Sequence, residues 1–285
     1  MAEHGEKFAR FAARKTQEAT EAVLPPYTTV VDTAPRDVLA IGNSWSRRLF
    51  DGGFYHSIPD PDRVACSLVF VQSRSGNTGA RNPSELGGGE TDKHLIYEGL
   101  SRVPADAVLA GAGTVRGGQL VFSVWHPELV SLRTAMGLPR HPVQIIATLQ
   151  GLDVRDMLIF NVPEVPVVLL TVGACARLMK SEIDARPWIS VVEMPAADAL
   201  PHAFDQLRGR GIRRVSAVGG RKLAAQLIDA GLVQDVYLTT SPNEGGEPNT
   251  PLYPRSLPGR VVVRKHGSGR EAGVVFEQTV LRSGT

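Results

Sequence analysis

Between Val64 and Thr240 the chain repeats one texture: a short, almost continuous apolar run, a stretch with helical spacing, then another apolar run. The runs are Val64–Gln72, Ala107–Ala110, Val143–Thr148, Val167–Leu170, Ile189–Met194, Arg214–Val218 and Val236–Thr240. They are rich in Val and Ile with little polar alternation, the pattern of strands buried on both faces. The stretches between them, Thr91–Leu100, Glu128–Met136, Ala174–Ile183, Leu200–Leu207 and Lys222–Ala230, carry helical spacing. Thr91 is expected to cap the first, Pro127 to open the second and Gly231 to stop the last. This alternation predicts an α/β fold with a mostly parallel central sheet flanked by helices. Arg260–Lys265 and Gly273–Val280, joined by a short polar link, predict a C-terminal β-hairpin.

The first 62 residues differ. Phe8, Phe11 and Ala12 fall on one side of a predicted helix that Pro25 and Pro26 end. The Pro-, Gly- and Asp-rich segment that follows holds Trp45, Phe50, Phe54 and Tyr55, too many aromatics for a disordered arm. We therefore expect an N-terminal extension, residues 1–62, wrapping a domain of residues 63–285.

Composition removes several classes of function. Apolar residues at 42% and charged residues at 21% exclude a disordered or fibrous chain. The 31 basic and 29 acidic residues leave a net charge of +2, scattered along the chain, which argues against gripping nucleic acid through phosphates. Cys66 and Cys175 are far apart, and no HExxH or HxxxH pairing exists, so neither a disulfide framework nor a metal site is expected. No apolar run is long enough to span a bilayer, and no apolar leader opens the chain, so a cytoplasmic protein without membrane contact is expected.

In a parallel sheet, ligands bind beyond the carboxyl ends of the strands. Two of the predicted strands end in glycine there: Gly111-Ala112-Gly113-Thr114 and Gly219-Gly220-Arg221-Lys222-Leu223, the latter opening directly into a helix. Side-chain-poor corners let backbone N–H groups approach a phosphate, and a helix N-terminus adds partial positive charge. Gly also suits any tight turn, so each motif alone has an ordinary structural reading. Two in one domain point to a long, phosphate-bearing ligand, with one corner expected at each of its ends. Thr148 and Thr171 end two other runs, and the polar loop Ser73–Gly79 follows the first. His126 and His141, each before proline, read as turn residues. Trp45, Arg47 and Arg48 read as packing of the extension or as a stacking site.

Leu100-Ser101-Arg102 followed by Asp106-Ala107-Val108-Leu109-Ala110-Gly111-Ala112-Gly113-Thr114-Val115-Arg116 resembles the "LRA…DAVLVGAGTVR" stretch of bacterial riboflavin-pathway pyrimidine reductases. Gly219-Gly220-Arg221-Lys222-Leu223 with Leu227-Ile228-Asp229-Ala230-Gly231-Leu232-Val233 is similar to their "EGGxxLxxxLLxAGLVDE". The resemblance covers roughly residues 64–281. It implies a dihydrofolate-reductase-like fold, NADPH as cofactor, a pyrimidine- or pterin-like substrate and a homodimer. It carries cofactor contacts over to Gly111, Ala112, Gly113, Thr114, Gly219, Gly220, Arg221, Lys222 and Leu223, with Thr148 and Thr171 near the adenosine phosphate. On the substrate side it implies Ser75 and Arg102. Ser75 stands where the family motif has Asp, and Val218 where many members have Glu. The implied activity is NADPH-dependent reduction; the alternative is an inactive nucleotide-binding regulatory module.

Overall fold

The computed structural model describes residues 2–34, 38–58, 60–80, 82–116 and 118–281. Twelve strands form among them: β1 (Thr28–Asp32), β2 (Leu39–Ile41), β3 (Phe54–His56), β4 (Ala65–Gln72), β5 (Ala107–Gly111), β6 (Val143–Ala147), β7 (Val167–Val172), β8 (Ile189–Met194), β9 (Arg214–Gly219), β10 (Val233–Thr240), β11 (Gly259–His266) and β12 (Val275–Leu281). Ten of them make one sheet in the order β1-β11-β12-β10-β4-β9-β5-β6-β7-β8. From β10 to β8 every neighbour is parallel, and β12, β11 and β1 close the other flank antiparallel. Every predicted strand is present, and the C-terminal hairpin pairs as expected.

The apolar runs are continuous because both faces of the sheet are covered. Val69, Val108, Ile146 and Leu169 pack on one face against Leu95, Ile96, Leu100 and Leu129. Leu68, Leu109, Ile145 and Leu170 face the opposite way, onto α8 (Leu200–Gly209) and α9 (Arg221–Asp229) through Phe204, Leu207, Leu227 and Ile228. Period-two alternation therefore survives in the packing although it is invisible in the residue types.

Three helical expectations need correction. The helix expected from Thr91 begins earlier, at Gly89, with Gly88 before it; a three-residue turn, α3 (Gly89–Thr91), runs on as a π-helix, Asp92–Arg102. The Thr91 hydroxyl is not a cap: it donates to the Pro25 carbonyl. The free N–H groups of Glu90 and Thr91 go instead to the Glu271 carboxylate, delivered from the β11–β12 loop. Ala174–Ile183 is two helices, α6 (Gly173–Leu178) and α7 (Lys180–Asp184). The remaining helices are α1 (Ala2–Glu21), α2 (Ser44–Phe50), α4 (Ala112–Val115) and α5 (Pro127–Ala135), the last capped by His126, whose Nδ1 accepts from Glu128 N.

The first 62 residues contribute to the same core. Phe8 and Phe11 of α1 are buried with Val121, Trp125 and Val162, each ring stabilising by roughly 2–3 kcal/mol on area grounds. β1 adds to the sheet beside β11. Phe50 and Phe54 lie in the central core, and Gly99 of the π-helix makes room for Phe54: a Cβ there would stand 2.7 Å from its ring. Trp45 packs on His126, centroids 4.1 Å apart, while the exposed Arg47 donates to the Gly42 carbonyl.

Candidate active site

The carboxyl ends of β10, β4, β9, β5, β6 and β7 form one edge, and its centre is built almost wholly from backbone. β5 and β9 are neighbours, Ala110 pairing with Gly219. The two glycine corners consequently lie side by side: a Cβ on Gly220 would stand 3.8 Å from both Gly111 N and Gly111 Cα. The expectation that they hold opposite ends of a long ligand is corrected by this adjacency, which places both within reach of one diphosphate. Thr114 clasps the pair, its Oγ1 only 2.7 Å from where a Gly219 Cβ would be. Gly220 holds φ +87°, a conformation that side-chain-bearing residues seldom adopt.

This edge is also open. A Cβ on Gly111 or on Gly113 would meet nothing within 4 Å. The first turn of α9 has no side-chain cap, and its first helical bond is Ala224 N to Gly220 O at 2.9 Å. The N–H groups of Arg221, Lys222 and Leu223 therefore point out of the helix without an intrahelical acceptor, beside the basic side chains of Arg221 and Lys222. Bare backbone donors, a helix N-terminus and open space in front of two glycines suit the diphosphate of a dinucleotide.

Toward β6 and β7 the two threonines part company. Thr171 is fully buried, and its hydroxyl donates to the Thr148 carbonyl at 2.6 Å, so it serves the sheet and offers nothing to a ligand. Thr148 is buried too, but its hydroxyl makes only a long contact, 3.4 Å, to the Gly151 carbonyl, beside the half-exposed Leu149.

Toward β4 and β10, Ser73–Asn77 folds into a tight turn, Gly76 N donating to Ser73 O at 2.9 Å. Ser75 is exposed at its tip, its hydroxyl shared with Ser73 and Asn77. The loop is pinned to the segment after β10: Arg74 N donates to Asn243 O, Thr78 N to Thr250 O and Glu247 N to Gly79 O. Ser75 thus shares the open edge with the glycine corners.

Arg102 does not. It ends the π-helix five residues before β5 begins, which puts it at the amino edge, the length of the strand away from Gly111. Its Nη1 donates to the Ser123 carbonyl, and its guanidinium lies against the rings of Tyr97 and Phe122. The expectation that Arg102 contacts substrate is therefore corrected to a packing role. Adjacency in sequence to the Gly111 motif does not survive the length of the strand.

Asp92 lies outside both glycine motifs. Its Oδ1 accepts from Thr239 of β10 at 2.5 Å, behind the Gly87-Gly88-Gly89 turn. Burial, reinforced by nearby Glu271, pushes its carboxyl up to about 7. Its only signal in the sequence was an acid in the first turn of a helix, which is commonplace.

A comparison with protein families matches residues 76–267 to the RibD C-terminal domain. The chain belongs to that family. Its members are pyrimidine reductases of riboflavin biosynthesis, an oxidoreductase family that uses a nicotinamide cofactor, and the dihydrofolate-reductase-like fold expected from the motifs is the one observed. Among solved structures, it is similar to a pyrimidine reductase-like protein of Corynebacterium diphtheriae, 23% identical, covering 78% of this chain and 93% of that one with a TM-score of 0.62. The riboflavin biosynthesis reductase Rib7 of Saccharomyces cerevisiae is 17% identical over 80% of this chain and 93% of its own, TM-score 0.56. A deaminase/reductase of Thermotoga maritima, 17% identical with a TM-score of 0.55, is matched over 57% of its length. No curated protein sequence matches the chain. Among the described residues no helix is long and apolar enough to cross a membrane.

Proposed function

We propose that the chain is an NADPH-dependent reductase of a pyrimidine- or pterin-like substrate, with Gly111–Thr114 and Gly219–Leu223 jointly holding the cofactor diphosphate. The observation that carries this reading is the side-by-side placement of two uncapped, side-chain-free corners at the centre of the carboxyl edge. From there one half of a dinucleotide would run toward Thr148, and the nicotinamide toward β4, where Ser75 and the Ser73–Asn77 turn border the substrate. The cofactor supplies the hydride; the chain supplies position and exclusion of water, so few acid–base side chains are needed. Residues 63–285 form the reducing unit in this reading, with residues 1–62 covering it.

Calorimetric titration with NADPH and with NADH is the direct test: NADPH is expected to bind, and absence of heat with both overturns the proposal. The second reading, a cofactor-binding module without turnover, is favoured by Ser75 and the buried Val218 at family acidic positions. Oxidation of bound NADPH by pyrimidine, pterin or imine acceptors separates the two readings; binding without oxidation supports the module. Sedimentation velocity tests the homodimer.

A further inference from the structure

At the amino edge, a cavity of about 20 Å³ lies where β4, β9 and β10 begin, lined by His56, Ser67, Ser101, Arg214 and Asp235 among others. His56 belongs to β3, so the extension forms one wall of the cavity, and the sheet, the end of the π-helix and the turn after it form the rest. Its imidazole is buried, and Nδ1 is paired with Tyr237 Oη at 3.0 Å. Nε2 is equally buried and has no partner among the described residues. A neutral imidazole carries one donor and one acceptor, so whichever tautomer Tyr237 selects, Nε2 still needs a hydrogen bond.

We propose that this cavity is a hydration site, holding one internal water bonded to His56 Nε2. The volume exceeds the roughly 10–15 Å³ that is the least a water requires. Serine hydroxyls, the Asp235 carboxylate and the Arg214 guanidinium on the walls supply the further partners such a water needs. Because a water can both donate and accept, it satisfies either tautomer. It also joins the extension to the sheet beside two direct bonds, Ser57 N to Asp235 Oδ2 and Arg214 Nη1 to Ser57 O, both at 3.1 Å. This assignment is independent of the proposed enzymatic function.

A high-resolution crystal structure of the full chain tests it. One fully occupied water is expected about 2.7–3.2 Å from His56 Nε2, retained in Tyr237→Phe, which leaves the imidazole in place, and lost in His56→Leu. An empty cavity, an Nε2 bonded to a protein atom, or a water that persists unchanged in His56→Leu overturns the proposal. Should His56→Leu fail to fold, the wild-type density and the Tyr237→Phe variant still decide.

Discussion

The two edges of the sheet are built by opposite rules. At the amino edge, long polar side chains are buried and spent on backbone. Arg133 donates to the carbonyls of Arg102, Val103, Ala105 and Pro139, and Gln144 clamps Phe122 through both its N–H and its C=O. Asp106 accepts from the N–H groups of Arg213 and Arg214. At the centre of the carboxyl edge the order is reversed: backbone donors are left bare, and side chains are missing where they would be in the way. The loops need fixing in both places, yet only the amino edge fixes them with buried side chains bonded to backbone. That difference, more than any single motif, supports the proposed position of the ligand, because an exposed helix N-terminus with open space before it gains most from an anion.

The comparison breaks most visibly at Arg133. Arg133→Ala removes a side-chain donor from four carbonyls, three of them accepting from one nitrogen, and should destabilise the fold by about 3–5 kcal/mol. Chemical denaturation should show the loss while NADPH titration of the folded fraction gives an unchanged Kd. A parallel loss of affinity would mean that the two edges are coupled. Arg102→Ala should behave the same way with a smaller loss, since it makes one hydrogen bond.

The second test is acid. Burial, with Arg214 adding to it, lowers His56 from 6.5 to about 3. The unfolded chain then takes up a proton at a pH where the folded chain does not. The stability this neutral imidazole contributes is therefore complete above about pH 6.5 and falls progressively toward pH 3, by about 5 kcal/mol at most. In His56→Gln the slope of unfolding free energy against pH between those limits should shrink. An unchanged slope would assign the acid sensitivity to other groups, His141 among them, which burial lowers to about 4.

At the open edge the expected effect is on affinity alone. A carboxylate at Gly111, where φ is −77° and nothing lies within 4 Å, should leave the fold intact. Beside a diphosphate it should weaken NADPH binding about 100-fold, roughly 3 kcal/mol. Gly220→Asp should lose as much affinity, but with a stability penalty of about 1–2 kcal/mol from its left-handed backbone. Equal calorimetric affinity in Gly111→Asp and wild type would remove the diphosphate site from this corner.

How much of this was legible beforehand follows the range of the forces involved. The strands, their order of texture and the glycine corners are local features of composition, and the sequence shows them directly. The neighbourhood of Gly111 and Gly220 is not local: β9 inserts between β4 and β5 only because the chain returns there after β8. Sequence could place each corner at a strand end but not side by side. Arg102 was misplaced for the same reason, its motif straddling both edges of the sheet. The π-helix and the Glu271 cap escaped because both depend on partners far along the chain, Phe54 against Gly99 and the β11–β12 loop against Glu90.

The smallest effect separates the two threonines that sequence could not tell apart. Thr171→Val removes a buried 2.6 Å hydrogen bond to the Thr148 carbonyl, leaves that carbonyl with less than its full complement, and should cost about 1 kcal/mol of stability with no change in NADPH affinity. Thr148→Val gives up only the 3.4 Å contact to Gly151, too long to stabilise the fold measurably. If the adenosine half of the cofactor runs along this side of the edge, the same change should weaken NADPH by at most about tenfold, the worth of one hydrogen bond. Thr148→Val with wild-type affinity would turn the cofactor away from β6. Thr171→Val with weakened affinity but unaltered stability would exchange the roles of the two hydroxyls and move the boundary between the self-satisfied and the ligand-ready parts of the sheet by one strand.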